Sequence, residues 1–227
     1  MSRAVVLFSG GQDSTTCLFL AKSQHEHVTA VSIRYGQRHA AEIEAAAKIA
    51  ALAGADHVIL DVPAIAQIGD SALVGASAIA GDGGRQDDGV PNGLPTSFVP
   101  MRNAILLSLA AAVAVKVGAH VLYTGVCQTD YSGYPDCRQG FIESLNDAFC
   151  EGLPSSTPLS IVTPLMKLTK AETVQLAASL PGCLDALALS VTCYEGARPG
   201  CGACPACTLR ARGFTEAGVT DPAEVRA

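Results

Sequence analysis

Four of the nine cysteines in this 227-residue chain stand close together near its C-terminus. Seven, two and two residues separate consecutive members, which are Cys193, Cys201, Cys204 and Cys207. Gly200 and Gly202 allow the tight backbone between them. Four thiolates at this spacing can close a tetrahedron around Zn²⁺ with no open position, which is typical of a structural metal site. Four cysteines also hold iron–sulfur clusters, and a group of thiols without metal is the least favoured alternative.

A second group able to do chemistry is Ser-Gly-Gly-Gln-Asp-Ser at positions 9–14, which we name the SGGQDS loop. It lies between an apolar run at 4–8 and a segment with helical character at 15–22. Glycines let the backbone approach a ligand closely, and the first N–H groups of a helix bind anions. The hydroxyls of Ser9, Ser14 and Thr15 add hydrogen-bond donors. An anion site is therefore favoured over an ordinary turn capped by Asp13 or Ser14.

Two common nucleotide motifs are absent from this loop. The sequence has no Gly-x-x-x-x-Gly-Lys-Ser/Thr, so no lysine of that motif reaches a terminal phosphate. It has no Gly-x-Gly-x-x-Gly either, which disfavours dinucleotide binding. Ser9 lacks the leading glycine of a hydrolase elbow and is a poor candidate nucleophile on that pattern.

Strand and helix patterns alternate along the chain and indicate how these residues are positioned. Apolar runs rich in β-branched residues predict strands at 4–8, 28–35, 57–62 and 121–126. Helical patterns follow at 15–22, 38–53 and 102–117, and a Thr169/Glu172 capping box starts another helix that extends to Ser179. This order predicts an α/β fold with a Rossmann-like parallel sheet and helices on both faces. Ligands bind such sheets at the carboxyl ends of the strands.

A polar, aromatic segment at 128–138 falls at the carboxyl end of the predicted strand 121–126, and we name it the acceptor segment. Tyrosines here can stack on a flat heterocycle, and carboxylates can accept hydrogen bonds from its amino groups. An arginine can hold a carboxylate bidentately. The candidates for these roles are Tyr131, Tyr134, Asp130, Asp136, Arg102 and Arg138. An ordinary turn-rich loop is an equal alternative on residue types alone.

Composition limits the classes of protein. The chain is 49% hydrophobic and 16% charged, with a net charge of −6, which argues against a protein that coats nucleic acid. The longest apolar tract, at 104–115, is too short to span a bilayer. No secretory signal is recognised and the thiols are clustered, so we expect a cytoplasmic protein. The segment at 68–95, rich in glycine and aspartate, is expected to be a long flexible loop, either a lid or a solvated insertion.

The ordered motifs carry a family resemblance. The SGGQDS loop resembles the pyrophosphate loop of N-type ATP pyrophosphatases, the PP-loop superfamily. Within that superfamily the chain is similar to the 7-cyano-7-deazaguanine synthase family over residues 3–212. The stretches that carry this similarity are YGQRH at 35–39, FVPMRN at 98–103, TGV at 124–126, DYSGYPDCR at 130–138 and TCY at 192–194. Met101 departs from the glycine expected before Arg-Asn in that family.

The resemblance implies an ATP-dependent ligase that converts 7-carboxy-7-deazaguanine and ammonia to 7-cyano-7-deazaguanine through an adenylated intermediate, in queuosine biosynthesis. It implies ATP with Mg²⁺, one structural Zn²⁺ per chain on the four cysteines, no stable nucleic-acid partner, no membrane and a homodimer as one option. Residues 1–190 would form the ATP-binding domain and 191–227 the zinc-binding segment and tail.

The site residues follow from the matched motifs. The catalytic candidates are Ser9, Asp13 and Ser14. The nucleotide-binding candidates are Phe8, Ser9, Gly10, Gly11, Gln12, Asp13, Ser14, Thr15, Thr16, Cys17 and Leu18. The substrate-binding candidates are Arg102, Tyr131, Tyr134, Asp136 and Arg138.

Two other functions stay open at this point. A related loop serves enzymes that thiolate tRNA, which predicts a reactive cysteine and a basic RNA-binding surface. A zinc-dependent binding module without catalysis would use the four cysteines and leave the SGGQDS loop unexplained.

Overall fold

The computed structural model of the protein describes residues 1–35, 41–67, 98–128, 134–194 and 196–225. Several predicted features lie outside these residues. They are the loop at 68–95, positions 36–39 of the YGQRH motif, and Asp130 and Tyr131 of the acceptor segment.

Five strands form one parallel sheet in the order β3-β2-β1-β4-β5. Their bounds are β1 Arg3–Leu7, β2 His27–Arg34, β3 Asp56–Asp61, β4 Val121–Tyr123 and β5 Ser160–Val162. Strand β1 pairs with β2 on one side and with β4 on the other, so the direction of strand addition reverses after β3. A crevice therefore opens between the carboxyl ends of β1 and β4, which is where open α/β sheets bind their ligands.

Helices cover both faces of this sheet, as the sequence predicts. Their bounds are α1 Gln12–Gln24, α2 Ala41–Leu52, α3 Arg102–Val117, α4 Gln139–Gly152, α5 Lys170–Ser179, α6 Cys183–Leu187, α7 Pro205–Ala217 and α8 Pro222–Val225. Val6 of β1 packs into one core with Leu18 of α1. Its neighbour Val5 packs on the opposite face with Leu107 of α3. Successive strand residues point to opposite faces, so β1 is buried on both.

Apart from β4, the predicted element bounds differ from the structure by at most three residues, and residues 38–40 of the helix expected at 38–53 lie outside the described residues. The helix expected at 102–117 is present with those bounds, and the capping box of α5 is formed by Thr169 and Glu172. The strand expected at 121–126 is wrong beyond residue 123. Thr124 still donates its N–H to the Val162 carbonyl at 3.0 Å, and Gly125 then packs against the start of α1. Within the described ranges no helix is long and apolar enough to cross a membrane.

Candidate functional site

Serine hydroxyls hold the SGGQDS loop in shape at the carboxyl end of β1. The Ser9 and Ser14 hydroxyls lie 3.1 Å apart, and Ser14 Oγ accepts from the Ser9 N–H at 3.3 Å. Ser9 Oγ accepts from the Gly11 N–H at 3.3 Å, and the Ser14 hydroxyl donates to the Gly11 carbonyl at 3.2 Å. Gly11 is the N-cap of α1 and has no side-chain cap, so the alternative in which Asp13 or Ser14 caps this helix is wrong. The loop presents an open helix N-terminus, which favours an anion.

Two glycines allow the close packing around this loop. Gly10 has a φ of +80°, and a Cβ atom there would lie 3.1 Å from backbone atoms of Ala46 in α2. Gly125 follows β4, and a Cβ atom there would lie 3.1 Å from the backbone of Asp13 and Ser14. Any side chain at either position would force the backbone apart. Glycine at 125 therefore brings the end of β4 against the first turn of α1.

The side chains that follow or precede the loop support it from within the core. Phe8, Thr15, Thr16, Cys17 and Leu18 are all buried, and the Thr16 hydroxyl donates to the Gln12 carbonyl at 3.0 Å. Burial and the nearby Asp13 carboxylate raise the pKa of the Cys17 thiol well above its ordinary value. Of the residues predicted to bind nucleotide, those at 9–14 form the loop itself, and the Gln12 side chain is buried within it.

Lys170 contacts the SGGQDS loop and was not among the predicted site residues. Its Nζ lies 2.9 Å from both carboxylate oxygens of Asp13, and its side chain is only 8% exposed. Lys170 is the first residue of α5, where the positive end of the helix dipole disfavours a cation. A lysine at the first position of a helix is unfavourable, and this was the sequence feature that could have indicated another role for Lys170. The capping box explained Thr169 and Glu172 but left the lysine between them unexplained.

An arginine and aromatic rings form a second group near the start of α3. The guanidinium of Arg102 lies 5.5 Å from the centre of the Tyr134 ring, and that ring stacks on Phe98 at 6.1 Å. Arg102 also hydrogen-bonds Tyr35, whose pKa is raised by burial against the opposing effect of this guanidinium. Tyr35 and Phe98 lie within the matched motifs but were not among the predicted site residues.

Asp136 faces the same region as Arg102 and is buried. Its Oδ2 accepts from the Asn103 backbone N–H at 3.1 Å, which fixes the acceptor segment to the first turn of α3. Its Oδ1 is buried with no hydrogen-bond partner among the described residues. Arg138 is exposed and forms the N-cap of α4. Of the two arginines predicted to hold a carboxylate, Arg102 is the one beside Asp136 and Tyr134.

The four C-terminal cysteines come together as the sequence predicts. All four sulfur atoms lie within 4.8 Å of one another. Zn–S bonds of about 2.3 Å in a tetrahedron place sulfurs about 3.8 Å apart, so the cluster fits Zn²⁺. Backbone N–H groups of Ala203 and Cys204 lower the pKa of Cys201, whereas burial raises the pKa of Cys207 to about 12, so metal binding would have to displace a proton from Cys207. A Cβ atom at Gly200 would lie 2.6 Å from Sγ of Cys207, so glycine is required there.

Tyr194 links the cysteine cluster to the rest of the site. It follows Cys193 and packs against the buried cysteines. Burial raises the pKa of its phenol to about 12, and the charges of Arg102 and Lys170 oppose that rise. The phenol is therefore close to both the arginine group and the lysine beside the SGGQDS loop.

Fold and site together define the class of protein. A doubly wound parallel sheet with an SGGQDS loop at the β1–β4 crevice defines an α/β protein with the PP-loop fold. A solved 4-thiouridine synthetase–RNA complex with bound ATP shares this fold, with a TM-score of 0.52 and 17% sequence identity. The similarity covers 94% of this chain and 53% of that one.

The family is shown by sequence. The family model described as queuosine biosynthesis protein QueC matches residues 3–218. A relative from Chromobacterium violaceum is 51% identical over 97% of this chain and 92% of its own length. Another from Laribacter hongkongensis is 48% identical over 96% of this chain and 93% of its own. Both are named 7-cyano-7-deazaguanine synthase. The chain belongs to the QueC family, which confirms the resemblance carried by its motifs.

Proposed function

We propose that this chain is an ATP-dependent ligase that converts 7-carboxy-7-deazaguanine and ammonia to 7-cyano-7-deazaguanine, in queuosine biosynthesis. The observation that carries the proposal is the match, along nearly the whole chain, to relatives at 51% and 48% identity that bear this synthase name. The site supplies groups suited to each half of such a reaction: an anion-binding loop beside Lys170, and an arginine with stacked aromatic rings.

Activation by ATP solves a chemical problem, since a carboxylate is a poor electrophile. Its oxygen attacks the α-phosphate of ATP, the bond to the β-phosphate breaks, and diphosphate leaves. Ammonia then attacks the acyl carbon and AMP departs with the former carboxylate oxygen, giving an amide and releasing a proton. A second ATP activates the amide oxygen in the same way. Loss of AMP and of both protons from nitrogen leaves the nitrile, so two ATP molecules are consumed for each product.

The SGGQDS loop is the proposed diphosphate site. Its N–H groups and the hydroxyls of Ser9 and Ser14 would bind the phosphate oxygens, and Lys170 would supply the positive charge. Mg²⁺ would arrive with the nucleotide, and Asp13 would be its ligand or would orient Lys170 toward the leaving group. Positioning and charge stabilisation suffice here, and no serine or cysteine nucleophile is required.

The group around Arg102 is the proposed acceptor site. A guanidinium can hold the carboxylate of the deazapurine through two parallel hydrogen bonds. Tyr134 and Phe98 offer flat surfaces for the heterocycle, and the buried Oδ1 of Asp136 is an acceptor for an amino group on its edge. Tyr131 and Asp130 remain sequence-based candidates for the same task.

Two alternatives fare less well. A thiolation-type enzyme needs a reactive thiolate. Cys201, the cysteine whose pKa is lowered, belongs to the four-cysteine cluster, and outside that cluster burial raises the pKa of Cys137 and that of Cys183 to about 12 each. The net charge of −6 also disfavours a broad RNA-binding surface. A binding module without catalysis does not account for the bidentate contact between Lys170 and Asp13 at an open helix N-terminus.

The remaining assignments belong to the same proposal. The four cysteines would hold one structural Zn²⁺, because four sulfur ligands leave no position for substrate. Residues 1–190 would act as the nucleotide-binding domain and 191–227 as the zinc-binding segment and tail. We also propose a cytoplasmic location, no stable nucleic-acid partner and, as one option, a homodimer.

An assay with ATP, 7-carboxy-7-deazaguanine and an ammonium salt tests the proposal. It should separate AMP from ADP and record the mass of the acceptor product. AMP, diphosphate and a nitrile are the expected products. ADP would keep a ligase but overturn adenylation. A folded, metal-loaded sample without turnover would overturn the proposed reaction.

A further inference from the structure

The aliphatic part of Lys170 lies directly against Gly213 of α7. A Cβ atom built on Gly213 would lie 2.4 Å from Cγ of Lys170 and 3.1 Å from its Cβ. Atoms do not approach that closely, so any side chain at 213 would displace either Lys170 or α7. Gly213 is buried in the interior of α7, where glycine is a poor helix former. Glycine at 213 leaves the space that the Lys170 side chain occupies.

Contacts that do not involve Lys170 fix α7 in place. The helix begins at Pro205, directly after Cys204, and carries Cys207 in its first turn. Arg210, one turn further, is buried and donates two hydrogen bonds to Asp221, at 2.6 and 2.8 Å. Because α7 is held at these points, it cannot easily retreat from a larger residue at 213.

The backbone of Lys170 is also fixed. The Thr169 side chain accepts from the Glu172 N–H at 3.2 Å, and the Glu172 carboxylate accepts from the Thr169 N–H at 2.7 Å. This capping box sets where α5 begins. The direction of the Lys170 side chain is then decided by what it packs against.

We propose that Gly213 is a positioning residue of the nucleotide site: the space that it leaves lets Lys170 lie between α7 and Asp13, so that the cysteine-anchored helix α7 shapes the diphosphate-binding loop. The inference rests on the proposed function for the identity of the ligand. That ligand is the diphosphate portion of a nucleoside triphosphate. It gives the C-terminal cysteine segment a role at the reacting end of ATP in addition to stabilising the fold.

Gly213→Ala tests this, with Gly140→Ala as the matched control. Gly140 is also a helical glycine, in α4, but a Cβ atom there meets nothing within 4 Å. Affinity for inorganic diphosphate with Mg²⁺, measured by titration calorimetry on the metal-loaded protein, should fall about tenfold or more in Gly213→Ala, the loss typical of a contact to a charged group. Gly140→Ala should bind as the parent does. Metal content should be unchanged in both variants.

A double-mutant cycle with Lys170→Ala separates positioning from a general structural effect. Lys170→Ala removes the clashing Cγ, so adding Gly213→Ala to it should cause little further loss of diphosphate affinity. If Gly213→Ala alone does not fold, the double variant should recover the fold. Parent-like diphosphate binding by Gly213→Ala, full additivity of the two losses, or a double variant that stays unfolded would each overturn the inference.

Diphosphate binding requires no acceptor molecule. A protein that behaves as described in this cycle but forms no nitrile would therefore refute the proposed function and leave the role of Gly213 standing.

Discussion

Lys170 and Asp13 are separated by 157 positions in the chain, yet Nζ of Lys170 contacts both carboxylate oxygens of Asp13 at 2.9 Å. The carboxylate belongs to the first turn of α1 and the ammonium to the first residue of α5. This ion pair joins the starts of α1 and α5 beside the SGGQDS loop. The dipole of α5 disfavours the positive charge of Lys170 at its N-terminus. This contact is the basis of the first two predictions.

Lys170→Ala should lower kcat/KM for ATP on the order of a hundredfold, because it removes the buried cation that we propose stabilises the leaving diphosphate. Lys167→Ala is the matched control, since Lys167 is three residues away and exposed. The measurement is the rate of diphosphate release with saturating acceptor and ammonia. Equal rates for the two variants would remove Lys170 from the reaction.

Asp13→Ala should abolish diphosphate release while the protein remains folded. The variant removes the carboxylate that Lys170 contacts and the proposed Mg²⁺ ligand. Asp13→Asn keeps the size of the side chain and isolates the effect of the charge. Diphosphate release and far-ultraviolet circular dichroism should be recorded on the same samples. Turnover retained in both variants would exclude Asp13 from the mechanism.

Arg102→Leu should raise KM for the carboxylate acceptor by about tenfold or more and leave KM for ATP nearly unchanged. Arg102 lies within the aromatic group, whereas Arg138 is exposed at the N-cap of α4. Arg138→Leu is therefore the control and should leave both constants close to those of the parent. A reversed outcome would move the carboxylate site to Arg138.

Met101→Gly should stabilise the protein by about 1 kcal/mol, since a residue other than glycine in the left-handed region costs roughly 1–2 kcal/mol. Met101 has a φ of +60° at the N-cap of α3, and its side chain is 62% exposed, so its removal costs little packing. Glycine is also the residue that the family resemblance leads one to expect at this position. Ala104→Gly within α3 is the opposite control and should destabilise. Urea denaturation of both variants measures the change in the free energy of unfolding, which should be an increase for Met101→Gly and a decrease for Ala104→Gly.

Glu42→Gln should stabilise the protein at neutral pH and have no effect near pH 4. Burial raises the pKa of this carboxyl, in the first turn of α2, from 4.5 to about 7. Below pH 4.5 both the folded and the unfolded chain hold the proton, so the carboxyl costs nothing. Between pH 4.5 and about 7 the Glu42 carboxyl is protonated in the folded chain and ionised in the unfolded chain. The free energy of unfolding therefore falls as the pH rises through this range, by about 3 kcal/mol in total.

Urea denaturation of the parent and Glu42→Gln at pH 4 and pH 8 measures this difference. A stabilisation that is the same at both values would mean that ionisation of Glu42 is not its cause.

Cys204→Ala should lower metal content and the amount of folded protein together, because the cluster fixes the start of α7. Cys150→Ala is a suitable control, since Cys150 is exposed on α4 and outside the cluster. Zinc content by atomic emission and thermal unfolding are the two measurements. A Cys204→Ala protein that stays folded without metal would contradict the structural role.

The sequence by itself determined the parts of this protein that depend on local spacing. Strand and helix periodicity predicted the parallel sheet, and short cysteine spacings predicted the cluster at 193–207, because neighbouring residues meet whatever the rest of the chain does. The order of the motifs was sufficient to recognise the family, and the SGGQDS loop was identified from its own residues.

Only the tertiary structure decided which distant groups meet. Lys170 looked like an ordinary residue within a capping box, and nothing local joins it to Asp13 or to Gly213. The contact of Arg102 with the Tyr134 ring and the packing of Gly125, just after β4, against the first turn of α1 likewise join residues far apart in the chain. Periodicity reports which face of an element is buried, but contacts between elements depend on the register in which those faces pack, and that register is a property of the whole fold.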